Sequence, residues 1–200
     1  MSFITGTSTE LIYASTHVGI AKNTFTTETA LNDEATMGPQ AYLPAGFWLP
    51  TSTSLGRGFH IVARGIVSST ATPTYTFSVR LAASEAATSG PIVLGTAALT
   101  TASAISNVPW TLEGDVIMEA LGTTTGTSTV RGTGKFRGIG YGVAAPTASA
   151  YAVWGGAASP GTVATVAIKA QNFVTVNVAC SASASQNTIT LQQLLIYGLN

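Results

Sequence analysis

Apolar and polar residues alternate along most of this chain with a period of two, the signature of strands that bury one face. The clearest run is "TYTFSVRL", which puts Tyr75, Phe77, Val79 and Leu81 on one face. "GFHIVARGIVSS" places Phe59, Ile61 and Ala63 together, then changes phase near Gly65 to Ile66, which predicts a bulge. "PIVLGTA", "TVATVAIKA" and "FVTVNVAC" predict shorter strands. The last run, "NTITLQQLLIYGL", reads Ile189, Leu191, Gln193, Leu195 and Tyr197 on one face and Leu194 and Ile196 on the other. Apolar residues on both faces predict a strand that is buried in a sandwich and also close to a partner subunit.

The segment between these runs fits the same picture. Residues 1–35 predict an N-terminal arm or early strands, and 36–200 a single β-sandwich domain. "YLPAGFWLP" sets Phe47 and Trp48 between prolines, a stiff lead-in to the first long strand and not a helix. Residues 144–160 are rich in small side chains, with Tyr151 and Trp154 embedded, and predict a loop. Those two aromatics are candidates for contact with a partner surface or a glycan. Eight or more strands with turns between them, no helical span and no repeat period predict an all-β, two-sheet antiparallel sandwich of jelly-roll type.

The stretch 113–137, "EGDVIMEALGTTTGTSTVRGTGKFR", holds six charged residues of a chain with only eight acids and eight bases. Folded as a hairpin about Thr125, it sets Glu119 against Arg131, Asp115 against Lys135 and Glu113 against Arg137. All six positions are odd, so the charges share one face. The even face then sets Trp110, Leu112, Val116 and Met118 against Gly140, Gly138, Gly134 and Gly132, and Phe136 against Gly114. Such charges set register and aid solubility. Basic partners would hold the Glu113 and Asp115 carboxyls ionised and unsuited to acid catalysis.

Composition narrows the function. Net charge is zero and only 8% of residues are charged, which offers no footprint for nucleic acid or an anionic membrane. A sparsely charged surface of this kind is poorly soluble alone and predicts burial in an assembly. Cys180 is the only cysteine, which excludes an intrachain disulfide, and it has no partner base to make it a nucleophile. A small buried filler is the expected role. His17 and His60 lie far apart without Cys, Asp or Glu at ligand spacing, so no metal site is expected. "GTGKFRG" has glycines that alternate along a strand with no helix after it, unlike a phosphate loop. There is no GxSxG elbow. No catalytic residue and no cofactor are expected. The first residues lack a basic leader, and no apolar run reaches the ~18–20 residues of a membrane helix.

With these elements in place, the chain resembles a group of virion proteins of tailed bacteriophages. The resemblance rests on "LPAGFW" at 43–48, "FHIVARGIVSS", "TPTYTFSVRL" at 72–81, "SNVPWTLEGDVI" at 106–117, the return strand "VRGTGKFRG" and the closing "NTITLQQLLIYGL". It spans roughly residues 40–199 and departs at 144–160. The resemblance implies a jelly-roll subunit on the virion exterior, made in the host cytoplasm and trimeric, with no active-site residue to transfer. A capsid decoration (cement) protein, sitting on the major capsid protein and bridging neighbouring subunits, is the first expectation. The alternative is the receptor-binding head of a tail or head fibre that recognises a glycan, which the lack of a coiled-coil or collagen-like stalk disfavours. A glycan-degrading enzyme is disfavoured by the missing acid–base pair.

Overall fold

The computed structural model describes residues 9–33, 37, 40–49, 57–102, 104–121, 127–139, 148–154 and 164–199, with the backbone alone for Thr127, Ile139 and 148–154. Its strands are β1 (Glu10–Ser15), β2 (Thr29–Ala30), β3 (Tyr42–Leu43), β4 (Gly58–Ser69), β5 (Thr74–Ala82), β6 (Ile92–Gly95), β7 (Leu99–Thr100), β8 (Ile105–Ala120), β9 (Thr127–Ile139), β10 (Ala148–Trp154), β11 (Ala164–Ala167), β12 (Asn172–Cys180) and β13 (Thr188–Leu199). The hydrogen-bonded order is β1-β13-β4-β8-β9-β10-β6-β5-β12-β2, with β11 on β9, β3 on β12 and β7 on β5. All pairings are antiparallel.

This path folds over on itself where β10 meets β6 through the single pair Trp154 and Gly95. One layer is β1-β13-β4-β8-β9-β10 and the other β6-β5-β12-β2. The protein is therefore an all-β, jelly-roll-like sandwich.

Alternation explains the core. Tyr75, Phe77, Val79 and Leu81 of β5 are all buried, as are Val174, Val176 and Val178 beside them on β12. Facing them are Phe59, Ile61 and Ala63 of β4, Trp110 and Leu112 of β8, and Phe136 of β9. An aromatic cluster ties the layers together. The Phe77 ring lies 5.0 Å from that of Trp110 and 4.8 Å from that of Phe136. The "GFW" segment forms a turn in which Gly46 adopts φ 78°, a left-handed conformation that glycine takes at little cost. That turn drops Trp48 onto Phe59, centroid to centroid 5.8 Å.

The expected bulge lies on a different strand. β4 keeps one phase through Gly65 to Val67. The ladder is instead interrupted on β13, between Leu191 and Gln193. An extra residue there flips the faces. Ile189 and Leu191 point inward before it, Leu194 and Ile196 after it, and Leu195, Tyr197 and Leu199 turn to the outer face, half-buried.

Residues 9–33, expected as arm or early strands, lie on this sandwich. β1 extends one layer beside β13, and β2 the other beside β12. The polar, Thr-rich pattern of the segment supplies little core, but ladder hydrogen bonds need none. Asn32 adds side-chain bonds to the β12 backbone, donating to the Val174 carbonyl at 2.9 Å and accepting from the Val176 N–H at 2.8 Å.

Candidate functional site

The charges of the 113–137 hairpin gather on the outer face of the β1-β13-β4-β8-β9 layer. β8 and β9 pair antiparallel, two residues out from the expected register. Glu113 stands opposite Lys135, Asp115 opposite Thr133, and Arg137 opposite Thr111. The Lys135 Nζ lies 3.3 Å from Glu113 Oε2. Glu119 and Arg131 meet at 2.5 Å, but diagonally, since Arg131 stands opposite Ile117 and Glu119 lies at the irregularity between Met118 and Ala120. Glu113 with Arg137, and Asp115 with Lys135, are not cross-strand pairs.

A shift of two leaves every side chain on its face, which is why facial patterning did not detect it. On the inner face Trp110 does face a glycine, Gly138, and Val116 faces Gly132. Leu112 faces Phe136, Met118 faces Val130, and Gly114 faces Gly134. Gly140 and Thr125 lie outside the described residues.

Asp115 has a partner the sequence spacing did not reveal. β4 pairs with β8 so that His60 stands opposite Asp115, and His60 Nδ1 lies 2.6 Å from Asp115 Oδ1. The other ring nitrogen, Nε2, lies 3.9 Å from Glu113 Oε1. His60 is thus flanked by two carboxylates that are 53 and 55 positions away in sequence. Only the β4–β8 register could have predicted it.

Asp115 pairs with one ring nitrogen of His60 and Lys135 pairs with Glu113, so the carboxylates of this cluster already have partners. Among the described residues no three His, Cys, Asp or Glu side chains are grouped to hold a metal. Cys180 is buried, and its thiol points to the Ala182 carbonyl at 3.2 Å.

Removing these charges should matter little. Glu113→Gln with Lys135→Gln is expected to cost no more than ~1 kcal/mol, because half-exposed cross-strand ion pairs contribute about that. Denaturant unfolding at low and high salt checks it, and the wild type should itself lose little at high salt.

A second charged group lies on the outer face of the other layer. Glu28, just before β2, reaches across β12 to β5. It accepts from Arg80 Nε at 2.9 Å and Nη2 at 2.7 Å, and from the Ser78 hydroxyl. Arg80 Nη1 also donates to the Gly90 carbonyl at 2.5 Å. Burial pushes the Glu28 carboxyl up, but the hydrogen bonds and charge of Arg80, with Ser78 and Asn177, outweigh it and leave the group below the usual carboxylate range.

A depressed folded-state pKa means stability that is present above the unfolded-state value and lost as pH falls through the folded value. Glu28→Gln is therefore expected to lower stability at neutral pH, by about 1.5 kcal/mol, and to flatten its acid dependence below about pH 4.5. Urea titrations of both proteins from pH 7 to pH 3 check this.

Tyr151 and Trp154, expected on a loop, belong to strand β10. Their backbones pair with Phe136 and Thr133 of β9, and Trp154 also with Gly95 of β6. Runs of Ala and Ser have no strong strand pattern, so β10 was not legible. The side chains of these two residues lie outside the described atoms.

A jelly-roll-like sandwich with a charge-paired outer face is the class that these observations define. No family model and no curated protein matches the chain. Among solved structures it is similar to the CBM2 module of the evolved Dit of Lactobacillus casei BL23 phage J-1, at 11% identity over 97% of each chain with a TM-score of 0.36. A likeness that distant bears on neither function nor ligand.

Proposed function

We propose that this chain is a non-enzymatic structural subunit of a tailed-bacteriophage virion, a capsid decoration (cement) protein that assembles as a homotrimer on the capsid exterior. One observation carries the reading. The segments that resemble phage virion proteins are the ones that build the sandwich core: "GFW" contributes Phe47 and Trp48, "VPW" contributes Trp110, "TFSV" contributes Phe77 and Val79, and "KFR" contributes Phe136, all buried. Their aromatic contacts bind layer to layer, so the resemblance concerns how the domain packs.

Balanced, sparse charge supports a protein partner, the major capsid protein, over nucleic acid or an anionic membrane. The ion pairs at Glu113, Asp115 and Glu119 support a structural role for the charges.

The test is to localise the chain in purified virions by antibody labelling and a cryo-EM map. Density on the capsomers is the expected result. Density at a fibre tip would favour a receptor-binding head, and absence from the particle would overturn both.

A further inference from the structure

Residues 22–33 form a lobe that is tied at both ends. At its start, Lys22 exchanges backbone bonds with Ile189 of β13, donating at 2.8 Å and accepting at 3.0 Å. The Lys22 ammonium also pairs with Asp33, which closes the neck. The returning chain is anchored as firmly. Leu31 is buried and donates its N–H to the Val176 carbonyl at 2.8 Å, and the Asn32 side chain grips the β12 backbone beside it.

Between these anchors, residues 23–30 are held lightly. Asn23, Thr24, Thr26 and Thr27 are exposed, and Phe25 is only partly buried. β2 meets β12 over two residues, Thr29 with Val178 and Ala30 with Asn177. Thr24 sits at φ 52°, a left-handed conformation that is costly for a β-branched residue. The strongest hold on the tip is the Glu28 carboxylate in the guanidinium fork of Arg80. Among the described residues Arg80 of β5 is the charged group that acts on Glu28, and its other partners, Ser78 of β5 and Asn177 of β12, are neutral.

We propose that residues 23–30 are a flap, latched by Glu28 in the Arg80 fork, which acid releases while its anchors and both layers stay folded. Protonation takes the charge out of the latch, and lifting the flap relieves Thr24. The carboxyl lies below its usual range, so the latch is whole above the unfolded-state value near 4.5 and is lost as pH falls through the folded-state value. Opening uncovers Arg80 together with Ser78 and Asn177, both buried in the closed form.

The experiment follows hydrogen exchange residue by residue by NMR from pH 7 to pH 3, with each rate divided by the intrinsic rate at that pH. The Thr29 and Val178 amides report on the flap, because Val178 lies two residues beyond Val176 and presents the same edge. The Leu31 and Val176 amides report on the anchors. The expected result is that the flap amides of the wild type lose protection below about pH 4.5 while the anchor amides keep theirs. In Glu28→Gln the flap amides should exchange roughly 10-fold faster than wild type at pH 7 and ignore acid, since a charged hydrogen bond is gone. Flap and anchor amides that lose protection together overturn the flap. An acid response that survives in Glu28→Gln hands the latch to Asp33 or Glu10 and overturns the role of Glu28.

Arg80→Gln supplies a second readout that a merely structural ion pair would not give. With the guanidinium gone, burial opposes the Glu28 charge, so the flap should already be open at pH 7 and acid should open it no further. Acid opening of Arg80→Gln to the wild-type extent overturns the latch.

Discussion

Gly65→Val is expected to leave no cooperatively folded protein. Gly65 lies on β4, between Trp110 of β8 and Leu191 of β13. A Cβ there would come within 1.9 Å of the Thr190 carbonyl oxygen and 2.8 Å of the Trp110 indole carbons. An indole can shift, but the carbonyl is backbone in the ladder itself and cannot. Overpacking that side chains absorb costs about 1–3 kcal/mol. Here two central strands would have to separate, and ~5–15 kcal/mol of total stability leaves little to lose. Even Gly65→Ala should be severe, and trimming Trp110 to Phe should not rescue it. Circular dichroism melts of the single and double variants decide. A rescued double variant would mean that the indole, and not the Thr190 carbonyl, sets the limit.

Trp110→Ala is the second large effect, expected to cost ~3–5 kcal/mol, the usual range for a buried tryptophan. Trp110 is 1% exposed. It packs against Phe77, stacks on Phe136 at 6.3 Å, and donates from Nε1 to the Ile66 carbonyl at 3.3 Å. Its removal would open a cavity between the layers and leave that carbonyl one bond poorer. Trp110→Phe should retain roughly half the stability because the ring contacts survive. Chemical denaturation midpoints at constant m-value test both, and equal midpoints for wild type and Trp110→Ala would refute the central role given to this cluster.

These two residues also show what the sequence could reveal. Alternation identified β5 and the inner face of β4 as far as Ala63 correctly, because a strand with one buried face must repeat every two residues. The hairpin faces were legible for the same reason. Its register was not. Charge pairing and the matching of bulky residues to glycines were used to choose it, and exposed pairs worth under ~1 kcal/mol are too weak to overrule packing.

The glycines were misread more instructively. Opposite bulky residues were sought only across the β8–β9 ladder, yet Gly65 makes room for Trp110 from the other neighbour, β4. Gly114 and Gly132 make room for Leu94 of the facing layer. A glycine in a sandwich answers to contacts above it as much as beside it. Nothing in one sequence names that third neighbour.

The same limit hid His60. Its carboxylate contacts arise from a strand pairing that spans more than fifty residues, and no local spacing encodes them. The face flip on β13 was invisible because "QQ" reads as two solvent positions whether or not one is extra.

The pairing of β4 with β13 has a further consequence, for synthesis on the ribosome. β4 is central to its layer, yet its neighbour on one side ends at Leu199, opposite Gly58. β1, made well before β13, also waits on it for its one ladder partner among the described residues. β1 and one edge of β4 must therefore remain unpaired until β13 has left the exit tunnel, and that side of the layer closes in one late step. Such long-range closure is slow and leaves bare edges exposed meanwhile. Stalled nascent chains in which β13 is still unreleased should accordingly remain protease-sensitive in β1 and β4, and become resistant there together once β13 emerges.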